Sequence, residues 1–245
     1  MLSTTHNQAA TALAQRLADL NARIAAAAAA AGRSDAPPLL LAVSKGQSAA
    51  VIREAMALGL SQFGENYVTE ALPKMTELEA HALVWHFIGR IQSNKTRILA
   101  GRFDWVHGID RASLAQRLSE QRGHFQAPLN ICLQVNVLAE PSKAGVSPAE
   151  LPVLIEAVRH LPRLRLRGLM CMLPYAAPLA LQHQGFAEMR RLLEQAVAQG
   201  TPLDTLSMGM SDDFEPAIAE GATLLRIGTG LFGARSAAAD SSALE

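Results

Sequence analysis

Short apolar runs rich in β-branched and aromatic residues alternate along this chain with longer stretches of helical periodicity. Eight such runs stand out: 39–44 (LLLAVS), 62–64 (QFG), 84–88 (VWHFI), 105–109 (WVHGI), 129–137 (LNICLQVNV), 166–172 (LRGLMCM), 206–208 (LSM) and 224–227 (LLRI). Helical patterns fill the intervals near 48–58, 67–79, 93–100, 111–121, 148–160, 178–198 and 213–220. A further helix leads the chain, spaced by Leu13, Leu17, Leu20 and Ile24 and stopped by Gly32. Strands that alternate with helices predict right-handed crossovers and a parallel sheet. Eight such units in about 200 residues predict a closed (β/α)8 TIM barrel, with an open doubly wound sheet as the competing architecture. No linker rich in Pro, Gly or Ser divides the chain, so residues 1–235 read as one domain. The small, polar stretch 236–245 reads as a disordered tail.

Composition narrows the classes. Of 245 residues, 49% are hydrophobic and 18% charged, which excludes a disordered chain. Lys plus Arg and Asp plus Glu balance at 22 each, without the basic excess expected of a nucleic-acid-binding protein. Cys132 and Cys171 stand far apart, and the seven histidines are scattered, so the pattern predicts neither a disulfide framework nor a metal site. The N-terminal residues lack a secretory pattern, and the alanine tract 25–31 is too short to span a bilayer. The expectation is a cytoplasmic protein that meets no membrane.

In a barrel, chemistry gathers where strands end. Lys45 closes the first run and is either a solvated lysine or, with apolar walls lowering its pKa, an amine nucleophilic toward aldehydes. The seventh run leads into Gly209, Met210, Ser211 and Asp212, where Ser211 or Asp212 is a candidate helix cap. The eighth leads into Gly228, Thr229 and Gly230. Two loops suited to anions at these two positions match the place where barrels hold phosphate. Arg226 lies inside an apolar run, facing either solvent or the barrel mouth. Asn66 follows the second run and is a candidate cap or site residue. His86, between two aromatics, reads first as a satisfied interior histidine. Lys95 and Lys143 stand in later loops as solvated or anion-facing groups. No GxSxG elbow or Walker loop occurs, which removes the corresponding hydrolases and nucleotide triphosphatases.

The motifs AVSK (42–45), FGENY (63–67), WHFIG and QSNK (85–95), LRGLMCM (166–172), SMGMSDDFEPAI (207–218) and RIGTGLFGAR (226–235) together resemble the pyridoxal 5′-phosphate homeostasis proteins, the YggS/PROSC-like family. The resemblance runs from about residue 8 to 235 and implies a barrel like the N-terminal domain of alanine racemase. It implies pyridoxal 5′-phosphate as cofactor and a role in vitamin B6 homeostasis, buffering or delivering the cofactor without an established catalytic reaction. The alternative it leaves open is a small amino-acid racemase. By motif, Lys45 matches the Schiff-base lysine, Ser211, Gly228 and Thr229 the phosphate cradle, Arg226 the arginine at the pyridine nitrogen and Asn66 an asparagine near the ring. Implied partners are amino acids and apo-enzymes that use the cofactor, and the expected state is a monomer. Gly46, Gln47 and Ser48, Arg90 and Gly230 depart from the family's usual residues.

Overall fold

Strands buried on both faces need predominantly apolar sequence, and the runs above supply it. In the computed structural model, which describes residues 2–141 and 143–233, they become β1 (Leu39–Val43), β2 (Gln62–Glu65), β3 (Val84–Phe87), β4 (Trp105–Ile109), β5 (Leu129–Gln134), β6 (Leu164–Met170), β7 (Thr205–Ser207) and β8 (Leu224–Ile227). Each pairs in parallel with the next, and β8 returns to β1 through Leu39↔Leu224 to Ala42↔Ile227, closing the barrel. That closure removes the open-sheet alternative.

The helices form the outer ring: α1 (Leu2–Ala30), α2 (Ala49–Ala57), α3 (Val68–Glu77), α4 (Thr96–Arg102), α5 (Ala112–Gln121), α6 (Leu151–Val158), α7 (Leu179–Ala198), α8 (Phe214–Ala219) and α9 (Thr229–Phe232). Several boundaries differ from the sequence expectation. β5 stops at Gln134, and the polar loop beyond it is tied down by a single bridge between Val135 and Val146. β6 begins at Leu164, two residues earlier than its apolar run. α6 starts only at Leu151, because Ser147 and Glu150 cap each other: Ser147 Oγ donates to Glu150 Oε2 at 2.7 Å and Glu150 N–H donates back to Ser147 Oγ. The four-residue α9 was not expected at all. Residues 236–245, read as a tail, lie outside the described residues.

Two cores result. The larger lies between strands and helices and holds the fully buried rings of Phe63, Phe103, Phe186 and Phe214. A smaller one, Leu41, Val43, Ile88 and Leu224, sits in the barrel interior on the β1/β8 side. α1 packs on α8 and α9, with Arg16 Nε donating to Leu231 O at 2.8 Å and Arg33 Nη1 to Ile218 O at 3.0 Å. No helix among the described residues is long and apolar enough to cross a membrane.

Candidate functional site

Parallel strands deliver their C-terminal ends to one mouth of the barrel, and a cavity of about 270 Å³ opens there. Lys45, Asn66, Ser211, Arg226, Gly228 and Thr229 all line it, so residues spread over 185 positions of sequence meet in one place. Val43, Ile88 and Met172 supply apolar wall, and Met210, Asp212 and Tyr175 complete the rim.

Lys45 emerges half-buried where β1 ends, and the backbone around it is held by a buried ionic group. Glu65, at the end of the adjacent β2, is fully buried and accepts from Ser44 Oγ at 2.6 Å and from Lys74 Nζ at 2.8 Å. Lys74 Nζ also donates to Ser44 O at 2.9 Å, while Gly46 N–H donates to Glu70 Oε2 at 2.8 Å. Both neighbours of Lys45 are thus fixed by side chains of α3 and β2. Burial raises the pKa of Glu65, and the Lys74 ammonium is the chief opposing influence. Sequence reading missed this pair, because a lysine in an amphipathic helix reads as solvated.

The Asn66 side chain does not cap α3, whose N-cap is Tyr67. Its Oδ1 is buried without a hydrogen-bond partner. Asn66 sits under Gly89, where a Cβ would fall 2.1 Å from Asn66 O, so only glycine permits this approach.

On the opposite side, Gly209 turns the chain out of β7 with φ of +91°, and an added Cβ would lie 2.8 Å from Ala217 Cβ. The N-cap of α8 is Asp213, not Ser211 or Asp212. Asp213 Oδ1 accepts from Met210 N–H at 2.6 Å, which folds the loop back on itself. Ser211 is left facing α9: its Oγ accepts from Thr229 Oγ1 and from Gly230 N–H, both at 3.1 Å. With two donors already on that oxygen, the Ser211 hydroxyl proton is left for another acceptor. A Cβ on Gly230 would come within 3.3 Å of Ser211 Oγ, which accounts for the small residue there.

Arg226 faces inward and is 4% exposed. Its Nη1 donates to Ser207 O at 2.5 Å and to Ser207 Oγ at 2.7 Å, and its Nη2 to Cys171 O at 2.7 Å. Burial lowers its pKa from the usual guanidinium value. The thiols of Cys132 and Cys171 are themselves pushed up to about 12 by burial, so neither is charged at neutral pH. Asp213 is the acid that offsets the lone cation.

The remaining candidates lie elsewhere. His86 is fully buried and bonded on both ring nitrogens, as an interior histidine should be. Lys143 Nζ donates to Leu173 O at 2.7 Å and borders a neighbouring cleft with Arg90 and Arg111; Lys95 borders another, which it shares with Asn66 and Tyr67. Tyr175 reaches the rim of the Lys45 cavity; Tyr67 does not line it.

Pyridoxal phosphate offers an aldehyde, a pyridine nitrogen and a phosphate dianion around a flat apolar ring. The cavity offers an amine, a donor-only guanidinium, hydroxyl groups on two glycine-containing loops, apolar walls and an orphaned buried amide oxygen. The residues present fit the group.

Known proteins bear on this arrangement directly. The family of alanine racemase N-terminal domains matches the chain over residues 15–236. The pyridoxal phosphate homeostasis protein of Pseudomonas aeruginosa is 57% identical over 230 residues, 94% of this chain and 99% of its own. Its Escherichia coli K12 counterpart is 47% identical over 226 residues, covering 91% and 97%. The structure of PipY from Synechococcus elongatus PCC7942 with pyridoxal phosphate bound has a TM-score of 0.80 and 39% identity, covering 90% of this chain and 100% of that one. Alanine racemase from Corynebacterium glutamicum, 18% identical with a TM-score of 0.68 over 96% of this chain and 63% of that one, shares the fold. By identity sustained over nearly its whole length, the chain belongs to the alanine racemase N-terminal domain family, among the pyridoxal phosphate homeostasis proteins.

Proposed function

We propose that this protein binds pyridoxal 5′-phosphate in the Lys45 cavity and serves cofactor homeostasis in the cytoplasm, buffering the vitamer or delivering it to apo-enzymes. The observation that carries this reading is that Lys45, Arg226 and the Ser211–Thr229 pair line a single cavity. When bound, the cofactor supplies an electrophilic aldehyde and an electron-accepting ring. Lys45 is the amine that would condense with the aldehyde, the carbonyl oxygen leaving as water, and its rigid neighbours Ser44 and Gly46 keep it at the cavity. Ser211 would donate its hydroxyl proton to the phosphate, with Thr229 Oγ1–H holding the Ser211 oxygen in place. Arg226 offers only N–H donors, so a ring nitrogen beside it is held as an acceptor, unprotonated, which makes the ring a poor electron sink.

Amino acids are secondary ligands in this reading, and the protein acts as a monomer without metabolic turnover. Racemisation needs proton-transfer groups on both faces of a substrate. Lys45 is one such group; the tyrosine at the rim, Tyr175, is 89% exposed and wet. Borohydride reduction of protein loaded with pyridoxal phosphate, followed by peptide mass mapping, should place the adduct on Lys45, and Lys45→Ala should abolish it. An adduct on Lys95 or Lys143 instead would overturn the assignment. Turnover of L- or D-alanine at about 1 s⁻¹ or faster, lost in Lys45→Ala, would establish the racemase reading in place of this one.

A further inference from the structure

Behind the cavity floor, buried polar side chains run in file down the barrel interior. Arg226 Nη1 donates to Ser207 Oγ, which lies 2.8 Å from His107 Nδ1. His107 Nε2 lies 3.0 Å from His86 Nδ1, and His86 Nε2 lies 2.9 Å from Gln62 Oε1. Ser207, His107 and His86 are all 0% exposed. Gln62 opens β2, so the file connects the mouth of the barrel to its opposite end.

The chemistry of the end groups fixes the direction of every bond. A guanidinium has no acceptor, so Ser207 Oγ accepts from Arg226; at the other end Gln62 Oε1 can only accept, so His86 Nε2 carries the ring proton. Burial pushes the pKa of His86 down to about 3 and that of His107 well below the ordinary value, so each ring is neutral and carries one N–H. His107 keeps that proton on Nε2 and donates to His86 Nδ1. His86 likewise keeps its proton on Nε2 and donates to Gln62 Oε1. The reverse sense would set a lone pair of His86 Nε2 against Gln62 Oε1; with His107 Nδ1 thereby left as an acceptor, the Ser207 hydroxyl proton goes to it.

The same count applies to Arg226. Both Nη1 hydrogens go to Ser207, and one Nη2 hydrogen goes to Cys171 O. The Nε–H and the second Nη2–H have no acceptor among the described residues. No carboxylate forms a salt bridge with the group among those residues either, so neutral acceptors alone orient it.

We propose that Ser207, His107 and His86 are positioning residues, a one-way hydrogen-bonded relay that locks Arg226 in one orientation and presents its remaining donors to an acceptor in the cavity. Naming that acceptor as the ring nitrogen of pyridoxal phosphate rests on the function proposed above; the relay itself does not. Cooperative polarisation along such a chain strengthens each bond and ties the donor at the mouth to tautomers deep in the barrel.

Two measurements decide the matter. Long-range ¹H–¹⁵N spectra of histidine-labelled protein without cofactor should show His86 and His107 as neutral Nε2–H tautomers from pH 5 to 8. An Nδ1–H tautomer or a protonated ring at either residue would overturn the relay. With ring-¹⁵N pyridoxal phosphate bound, Ser207→Ala and His107→Phe should each move the ring nitrogen signal and weaken affinity about tenfold, and His107→Gln should recover part of both. Ser207→Ala removes one oxygen, so it reports even where His107→Phe fails to fold. A signal unmoved in a folded variant that has merely lost thermal stability would make these residues structural only and refute the proposal. Failure of the parent protein to bind pyridoxal phosphate would refute the cofactor reading alone, leaving the tautomers to judge the relay.

Discussion

Replacing Lys74 with Met tests how the backbone at Lys45 is held. Met matches the stem of Lys in volume, so little cavity cost is added. What is lost is the ammonium that donates to Glu65 Oε1 at 2.8 Å and to Ser44 O at 2.9 Å. Glu65 is then a fully buried carboxylate with one remaining donor, Ser44 Oγ, and an Oε2 that already lacks a partner. Breaking a buried pair in this way costs about 3–5 kcal/mol. The dependence on pH has a definite sign. Burial already raises the Glu65 pKa above its ordinary 4.5, and without Lys74 it rises further. A folded-state pKa above the unfolded one means that the native protein holds the proton more tightly. The destabilisation is therefore absent below about 4.5 and grows as pH climbs through the folded value. Urea unfolding followed by circular dichroism should show Lys74→Met losing most stability relative to the parent at pH 8 and less at pH 5. Adding Glu65→Gln should recover a large part of the loss at pH 8. An equal deficit at both pH values, or no recovery in the double variant, would refute the reasoning.

Ser211→Ala and Thr229→Ala should each weaken pyridoxal phosphate binding by about 1–3 kcal/mol, measured by fluorescence titration, while leaving pyridoxal without its phosphate nearly unaffected. Equal losses for both ligands would mean that these hydroxyls support the fold and not the phosphate. Gly209→Ala must adopt φ of +91° and press a Cβ to within 2.8 Å of Ala217 Cβ. Its thermal unfolding should report a loss of roughly 2–4 kcal/mol, and a variant as stable as the parent would contradict the geometry of this turn.

The barrel was legible because strands buried on both faces are mainly apolar, which sets β1 apart at five residues and leaves β4 and β8 readable despite His107 and Arg226. Where charge interrupts the run, the reading slipped: Arg165 hides the start of β6. The short α9 escaped because its four residues begin inside the glycine-containing loop. Lys45, Asn66, Ser211, Arg226, Gly228 and Thr229 could be picked out because each lies in or just after a strand, and a barrel collects those ends. The support behind them could not. His107 and Ser207 are 100 positions apart, and their contact depends on which neighbours face the barrel axis, not on any periodicity. Lys74 sits in an ordinary helical pattern, and only the buried Glu65 across from it turns it inward.

The seam between β1 and β8 also sets a timetable for synthesis. Leu39 pairs with Leu224, and Arg16 in α1 reaches Leu231 across 215 positions of sequence. A nascent chain that has reached Ser207 carries Lys45 and Asn66, but not Ser211, Arg226, Thr229 or the strand that shuts the ring. A chain short of β8 therefore exposes a strand edge and lacks the guanidinium and the second anion loop. Ring closure waits for β8 and must join it to β1 across some 185 positions of sequence, an entropically late event. Occupancy of the cavity thereby becomes a signal of ring closure: only a chain that has added β8 can compete for ligand.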